Sequence, residues 1–246
     1  MGIGFDENDD YYSIADAAEL TLQDGDWCIC IWTYVSDNAG SNAQYVYNTN
    51  ALAAANFVYL CLNEVGAANA GCWECAARDG DGTTVALVDT SAPGADSTWR
   101  LIVFQRNTGA AVGHEIELWS CEVGAAAVKE NDDSDAGLGA VDGGDWNIGR
   151  RTDGNADRYY GGIAAEFSKG DFALTQAQIE ALGAGLPVKT LAKQLGYTLD
   201  VYLPMWEADA TLLDYSNNGN SGTRNSAPTT ETHPPICTPV KRRRMG

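Results

Sequence analysis

Residues 27–35, Trp-Cys-Ile-Cys-Ile-Trp-Thr-Tyr-Val, decide the fold class of this chain. Aromatic and β-branched side chains fill the stretch, and both kinds favour the pleated surface of a sheet. The stretch therefore predicts a β-strand that is buried on at least one face. Cys28 and Cys30 are two positions apart, so they share one face of this strand and are predicted to pack as small hydrophobic side chains.

Similar short runs follow along the first two-thirds of the chain, with Gly, Asn and Asp between them. They occupy residues 44–48, 57–62, 71–78, 83–88, 99–105, 115–121, 146–149 and, as a pair of strands, 158–167. Asp79-Gly-Asp-Gly82 predicts a tight hairpin because Asp-Gly tolerates positive φ angles. Residues 131–135 and 141–144 predict an exposed loop. Short strands with such punctuation are typical of a β-sandwich or barrel.

Two short helices are predicted in the last third of the chain. Thr175 is followed by Gln178 and apolar residues, which is a capping box, and Gly183 is a natural stop. A second helix is predicted over residues 187–195, with a proline in its first turn. Residues 199–206 predict a returning strand, and residues 214–223 form a loop dense in turn formers.

The predicted domain organisation is one all-β sandwich over residues 1–226 and an extended Pro/Thr-rich arm over residues 227–246. One domain of this size is ordinary for a sandwich, and a hydrophobic fraction of 45% suffices to fill the space between two sheets. The formal net charge of −19 predicts repulsion from phosphate backbones, so a nucleic-acid partner is not expected.

The seven cysteines predict reduced thiols made in a cytoplasm, because residues 1–10 are polar and acidic and do not form a signal peptide. Cys72 and Cys75 form a CxxC pair without a second such pair, and both His114 and His233 are isolated. A structural role is therefore predicted for these cysteines. No stretch reaches the roughly 20 apolar residues that span a bilayer, so no membrane partner is expected.

Several segments, taken in order, resemble the laminin-G-like branch of the concanavalin A-like lectin/glucanase superfamily, in versions encoded by bacteriophages and environmental bacteria. The matching segments are residues 5–14, 27–32, 99–104, 116–124, 147–149, 160–167, 173–179 and the Asn/Gly-rich stretch 214–223. The resemblance implies a two-sheet antiparallel jelly roll. The chain departs from the family pattern at Glu7, where a glycine is usual, and at Ala165, where an aspartate is usual.

The glucanases of the superfamily carry three carboxylates in a Glu-x-Asp-x-x-Glu strand, and retaining hydrolysis needs a carboxylate pair about 5 Å apart. The nearest string here begins with Glu115 and Glu117 but has Ser120 at the third position. Glu122 lies one residue pair further along the strand, roughly 6–7 Å away. The sequence therefore predicts that the protein is not an enzyme.

The resemblance also implies calcium as an optional ligand, although no cofactor is required. Hard cations such as Ca²⁺ prefer oxygen ligands. Two loops have alternating acidic or amide side chains: Asp132, Asp133 and Asp135 in the first, and Asp153, Asn155 and Asp157 in the second. The second loop is our candidate metal site, and the alternative interpretation of both loops is a solvated surface.

Glycan binding would use exposed aromatic rings beside amides and carboxylates, because the rings stack on the apolar C–H face of a sugar. The candidate platform residues are Trp73, Trp146, Tyr159 and Tyr160. The alternative interpretation is that a tryptophan at alternate strand positions belongs to the core.

The basic run Lys241, Arg242, Arg243 and Arg244 is predicted to make assembly contacts with acidic neighbours, including other copies of the chain. With the resemblance to phage proteins, this run leads to the hypothesis of a virion structural or decoration protein of a tailed phage. Such a protein is assembled in the host cytoplasm, and its partners are other virion proteins and copies of itself. The alternative hypothesis is a free carbohydrate-binding lectin that recognises surface glycans.

Overall fold

The computed structural model describes residues 2–35, 43–49, 56–63, 71–89, 97–135, 137–151, 158–206 and 208–236. Within these ranges the chain forms β-strands, two short α-helices and a 3₁₀ turn at Ala18–Leu20. The elements are β1 (Gly2–Gly4), β2 (Tyr11–Ile14), β3 (Trp27–Tyr34), β4 (Gln44–Thr49), β5 (Phe57–Leu62), β6 (Trp73–Arg78), β7 (Thr84–Val88), β8 (Trp99–Arg106), β9 (Ile116–Glu122), β10 (Val128–Asp133), β11 (Trp146–Ile148), β12 (Ile163–Gly170), α1 (Gln176–Gly183), α2 (Val188–Leu195), β13 (Leu199–Leu203), β14 (Thr211–Leu212), β15 (Gly222–Asn225) and β16 (Thr229–Glu231).

These strands form two antiparallel sheets. Sheet A has the order β10-β9-β8-β3-β12-β1-β16, with β13 beside the second half of β12. Sheet B has the order β14-β15-β2-β11-β4-β5-β6-β7. The prediction of an all-β, two-sheet antiparallel sandwich is confirmed. In both sheets, many neighbouring strands are not consecutive in the sequence.

Strand β3 is buried on both faces because two separate cores meet it. Trp27, Ile29 and Ile31 point into the space between the sheets. Cys28 and Cys30 point the other way, into a second apolar cluster, and their Sγ atoms lie 3.3 Å apart. The alternation of a strand thus supplies one side chain to each core in turn. The prediction that the two cysteines share a face is confirmed.

The main core between the sheets is built around three aromatic rings. Phe167 comes from sheet A, and Tyr47 and Trp146 come from sheet B. The ring centroids of all three lie within 5.7 to 5.9 Å of one another. Aromatic rings of this size bury large apolar areas, so this triad fixes the spacing of the two sheets.

The second core lies on the outer face of sheet A, where α1 and α2 cover it. Thr175 caps α1, since its hydroxyl accepts from the Gln178 amide and the Gln178 side chain accepts from the Thr175 amide. Helix α2 starts after Pro187 and ends at Gly196, which is left-handed with φ 75°. Both predicted helices are confirmed, and none of the helices in the described ranges is long and apolar enough to cross a membrane.

Lys169 is a fully buried lysine beneath the 3₁₀ turn. Its ammonium lies 2.7 Å from carboxylate oxygens of both Asp171 and Asp200. It also donates to the carbonyl oxygens of Glu19 and Thr21, at 2.9 and 3.0 Å. A buried charge is tolerated only when it is paired and hydrogen-bonded in this way. The cluster ties the 3₁₀ turn to β12 and β13.

Three local predictions were wrong. Residues 131–135 were predicted as a loop, but residues 131–133 belong to β10, a polar edge strand paired with β9. Residues 158–167 were predicted as two strands, but Tyr159 makes only an isolated bridge with Arg150 before β12 begins. The arm predicted from residue 227 is also wrong in its first part, because β16 pairs with β1 and Ile236 is buried.

Candidate functional site

The Asn/Gly-rich loop after β14 is organised around the carboxylate of Asp214. One carboxylate oxygen accepts from the amides of Tyr202 and Ser216, at 3.0 and 2.8 Å. The other accepts from the Ser216 hydroxyl at 2.7 Å and the Asn220 amide at 2.9 Å. Such side-chain to backbone bonds hold a loop that has no ladder of its own. Asp214 therefore fixes the loop on β13.

Three polar side chains of this loop have one common acceptor, the carbonyl oxygen of Asp200. It receives hydrogen bonds from Ser216 Oγ at 3.1 Å, Asn218 Nδ2 at 2.9 Å and Asn220 Nδ2 at 2.9 Å. The spacing of these residues in the sequence is therefore explained by a structural role. The stretch that resembles the family motif is a scaffold, and the residue that it presents is Tyr215.

Tyr215 is held by its backbone and leaves its ring exposed. The Tyr215 amide donates to the Tyr202 carbonyl at 2.9 Å, and Lys189 Nζ donates to the Tyr215 carbonyl. The side chain is 36% exposed. Its ring centroid lies 5.7 Å from that of Trp206, with an angle of 50° between the planes. Two tilted aromatic rings thus stand side by side at the surface.

Trp206 leaves the line of β13 because the backbone turns at Met205. Met205 is a left-handed residue with φ 55°, a conformation that costs energy for any side chain other than glycine. The preceding carbonyl, of Pro204, accepts from the Glu166 amide at 3.3 Å. Strand β13 therefore ends at Leu203, before the end of the predicted strand 199–206, and Trp206 is only half-buried.

Trp206 and Tyr215 line a cleft of about 210 Å³, which we call the Trp206 cleft. Its other walls include the exposed residues Asp209, Thr211 and Leu213. The Asp209 carbonyl accepts from the Tyr12 hydroxyl at 2.9 Å, which fixes this wall to sheet B. The cleft combines flat apolar rings with a carboxylate and a hydroxyl, so it can stack on an apolar surface and accept hydrogen bonds.

Three of the four aromatic residues predicted as a platform are buried, so this part of the prediction was wrong. Trp73 and Trp146 each have a relative exposure of 1% and point into the core between the sheets. Tyr160 is fully buried, and its hydroxyl lies 3.3 to 3.4 Å from the carbonyl oxygens of Tyr34 and Ile163. The alternation along β6 and β11 placed the two indole rings inside.

Tyr159 is the fourth predicted platform residue, and it is half-buried. Its ring lies 6.5 Å from that of Tyr11, at an angle of 46°. The Arg150 guanidinium lies over the Tyr11 ring at 3.8 Å and covers one of its faces. Tyr159 therefore remains a candidate contact residue, on the outer side of sheet B.

The carboxylates of the glucanase-like string are each held by cations or donors. Glu117 lies 3.0 Å from Lys129 Nζ and accepts from Gln105 and Trp119. Glu122 lies 2.6 Å from Arg100. Ser120 projects from the face of β9 opposite to Glu117, since the strand alternates. No pair of these carboxylates faces a common cleft within the described residues.

The candidate calcium loops have different outcomes. Asp153, Asn155 and Asp157 lie outside the described residues. In the other group, Asp132 lies in β10 and pairs with His114 at 2.6 Å and with Lys129 at 3.0 Å. These partners hold the pKa of Asp132 below its usual range. Asp135 pairs with Arg106 at 2.8 Å. Side chains already neutralised by protein cations do not fit a calcium site.

A third acidic group, which the sequence reasoning missed, lies before β2. Asp6, Asp9 and Asp10 place one carboxylate oxygen each within 4.8 Å of one another. Burial raises the pKa of Asp10, the neighbouring charges of Asp6 and Asp9 raise it too, and a hydrogen bond from the Ala227 amide opposes them. This set of hard oxygen donors fits Ca²⁺ by its chemistry. The spacing Asp-x-x-Asp-Asp is its sequence signal.

Two further groups of predicted residues are the basic run and the cysteines of the CxxC pair. Lys241, Arg242, Arg243 and Arg244 lie outside the described residues. Cys75 is buried in the core between the sheets, and Cys72 is half-buried. Both are free thiols. Burial raises the pKa of Cys75 well above its usual range, which disfavours the reactive thiolate.

No family model matches the sequence, and no curated protein matches it. Among solved structures, a protein from Bacteroides ovatus described as carbohydrate-binding is similar over 94% of this chain and 60% of its own, with 14% identity and a TM-score of 0.57. The binding domain of Paraclostridial Mosquitocidal Protein 1 is similar over 70% and 40%, with 14% identity and a TM-score of 0.52.

Domains LG4–5 of the mouse laminin α1 chain are similar over 72% of this chain and 43% of their own, with 10% identity and a TM-score of 0.44. The chain thus spans 60% or less of the length of these three structures. At 14% identity, the similarity to the Bacteroides ovatus and Paraclostridial structures shows the fold alone. The chain has the concanavalin A-like, laminin-G-like jelly-roll fold.

Proposed function

We propose that this protein is a non-catalytic, lectin-like module that binds a glycan in the Trp206 cleft. The observation that carries the proposal is the tilted pair of rings, half-buried Trp206 and exposed Tyr215, in a cleft that Asp209 also lines. Aromatic faces stack on the C–H face of a sugar, while carboxylates accept from its hydroxyls. The similarity to the Bacteroides ovatus protein, which is described as carbohydrate-binding, supports the same function.

The non-catalytic part of the proposal is supported by the surroundings of the acidic strand residues. Hydrolysis of a glycosidic bond needs two carboxyl groups that flank the bond. Glu117 and Glu122 are instead each bound to a basic side chain. The Trp206 cleft contains a single acidic residue among its described lining, Asp209.

A matched pair of tyrosine variants tests the proposal. Tyr215 and Tyr197 are both 36% exposed, but Tyr197 stacks on Phe172 away from the cleft. On a glycan array followed by calorimetry, Tyr215→Ala is expected to weaken the best ligand about tenfold, or about 1.4 kcal/mol. Tyr197→Ala is expected to leave the affinity unchanged. Equal effects of the two variants would refute the assignment of the cleft.

We also propose that calcium binds at Asp6, Asp9 and Asp10. A ligand that binds only the folded state raises its stability. Millimolar Ca²⁺ is therefore expected to raise the melting temperature, and EDTA to reverse the rise. Asp9→Asn should abolish the response, whereas Asp81→Asn, at an exposed turn, should retain it. An unchanged response in Asp9→Asn would place the ion elsewhere.

A second proposal is that the module is displayed on the particle of a tailed phage, where it would present the same glycan site. Its support is the resemblance of the sequence to phage-encoded members of the superfamily and the basic run Lys241–Arg244. Copurification with capsid or tail proteins, lost when the four basic residues become glutamine, tests it. The absence of any such association would remove this proposal and leave the glycan site standing.

A further inference from the structure

Lys169 and two aspartates bring a nucleophile and two carboxyl groups together in the interior, away from the proposed glycan site. The side chain of Lys169 has no accessible surface. Its cross-strand partners, Ile29 on β3 and Val201 on β13, both belong to the core between the sheets. Lys169 Nζ lies 2.7 Å from Asp200 Oδ2 and 2.7 Å from Asp171 Oδ1. An amine and two carboxyl groups thus meet in a site of low dielectric constant.

The backbone fixes the positions of the lysine and of the buried aspartate. The register of β12 and β13 shifts at Lys169, and Asp200 is the extra residue of the resulting bulge. Bulges of this kind redirect a side chain. The carbonyl of Asp200 also accepts three hydrogen bonds from the Asn/Gly-rich loop. Groups held in one geometry react with effective concentrations of roughly 10⁵–10⁸ M.

The two carboxyl groups differ in their surroundings, and the difference suits two chemical roles. The side chain of Asp200 is 12% exposed and that of Asp171 is 48% exposed. Burial raises the pKa of Asp200 and the charge of Asp171 adds to the rise, against the hydrogen bond and charge of Lys169. A protonated carboxyl group can lose its hydroxyl as water. Asp171 reaches the solvent and can carry a proton between Nζ and that hydroxyl.

We propose that Lys169 and Asp200 condense to an amide that joins β12 to β13, with Asp171 as the proton carrier. One proton passes from the ammonium to the Asp200 carboxylate, and the neutral Nζ then forms a bond to Cγ. Asp171 takes a second proton from Nζ and gives it to the Cγ hydroxyl, so the C–O bond breaks and water leaves. The neutral amide replaces a buried ion pair, which removes the desolvation cost of two charges. The closed loop contains α1 and α2.

Intact mass spectrometry of the denatured, reduced full chain tests the proposal, after the folded protein has been stored until its mass is constant. Wild type is compared with Lys169→Gln, Asp171→Asn and the control Lys193→Gln, which replaces an exposed lysine of α2. Asp171→Asn keeps the ion pair of Lys169 with Asp200, and thermal melting verifies that this variant is folded. Tryptic digestion then locates any cross-link.

We expect wild type and Lys193→Gln to be lighter than their sequence masses by one water molecule. Lys169→Gln and Asp171→Asn should have their full sequence masses. Trypsin should release from wild type a branched peptide that joins residues 159–189 to residues 194–224.

Three results would overturn the proposal in whole or in part. Folded wild type with its full sequence mass would exclude the amide. A loss of water that maps to an Asp-Gly step would identify a succinimide and exclude the amide equally. A cross-link as complete in Asp171→Asn as in wild type would overturn the role of Asp171.

Discussion

Replacing Glu166 with glutamine is expected to remove a pH-dependent part of the stability of the fold. Glu166 lies in a β-bulge of β12, with a relative exposure of 3% and a left-handed φ of 55°. Its carboxyl group accepts from the Tyr202 hydroxyl at 2.8 Å. Burial raises its pKa to about 7, although the bonds from Tyr202 and from the Val188 amide lower it. The side chain thus joins β12 to β13 and to the start of α2.

The sign of the effect follows from the raised pKa. The folded protein holds the Glu166 proton more tightly than the unfolded chain, in which the pKa has its ordinary value of 4.5. The corresponding stabilisation is complete below about pH 4.5 and is lost as the pH rises through about 7. Since one pKa unit corresponds to 1.36 kcal/mol, the free energy of unfolding should fall by about 3 kcal/mol across this interval.

Urea denaturation followed by tryptophan fluorescence, from pH 4 to pH 8.5, measures this loss. Glutamine resembles the protonated acid and does not titrate, so Glu166→Gln changes stability by a constant at all pH values. All other titrating groups cancel in the difference between the two proteins. The variant should gain about 3 kcal/mol relative to wild type between pH 4.5 and pH 8. A difference that stays flat would refute an elevated pKa at this position.

Three further substitutions test how the sheets and loops are held. Lys169→Met should lower the free energy of unfolding by about 3–5 kcal/mol at pH 7 by chemical denaturation, because it leaves Asp200 buried without its cation. Asp214→Ala should release the loop that carries Tyr215, so the free energy of glycan binding should weaken by more than the free energy of unfolding falls. An equal loss in both would contradict this. Gly183→Ala should cost about 1–3 kcal/mol, because its Cβ would lie 2.2 Å from Cys121 Sγ. A melting temperature equal to wild type would show that the helix can shift.

The strands and helices with strong local patterns could be predicted from the sequence. The alternating residues 27–35 gave β3, and the Thr175 capping box gave the start of α1. Strand β10 was missed because its polar residues are ordered by pairing with β9, which is a contact between strands and not a local preference. Strand β16 was missed for the same reason, since its three residues are exposed and only the pairing with β1 defines them.

The candidate site was predicted less well than the fold, because burial depends on which face of a strand points inward. Trp73 and Trp146 looked like possible platform residues, but their registers direct both rings into the core. Trp206 was predicted as the end of a strand, and no local sequence signal predicted the left-handed conformation of Met205 that directs it toward the surface. The loop motif at 214–223 was recognised as a resemblance, but its role in presenting Tyr215 required the hydrogen bonds.

The pairing of β1 with β16 makes the first and last strands of the described fold immediate neighbours, with Gly2 opposite Glu231. The start of β1 and the end of β16 therefore lie next to each other in space. A circularly permuted chain, with a short linker across this edge and new ends in the exposed turn at residues 108–113, would retain every strand pair. The same proximity of the first and last described strands makes the sandwich suitable for insertion as a whole into a surface loop of another protein.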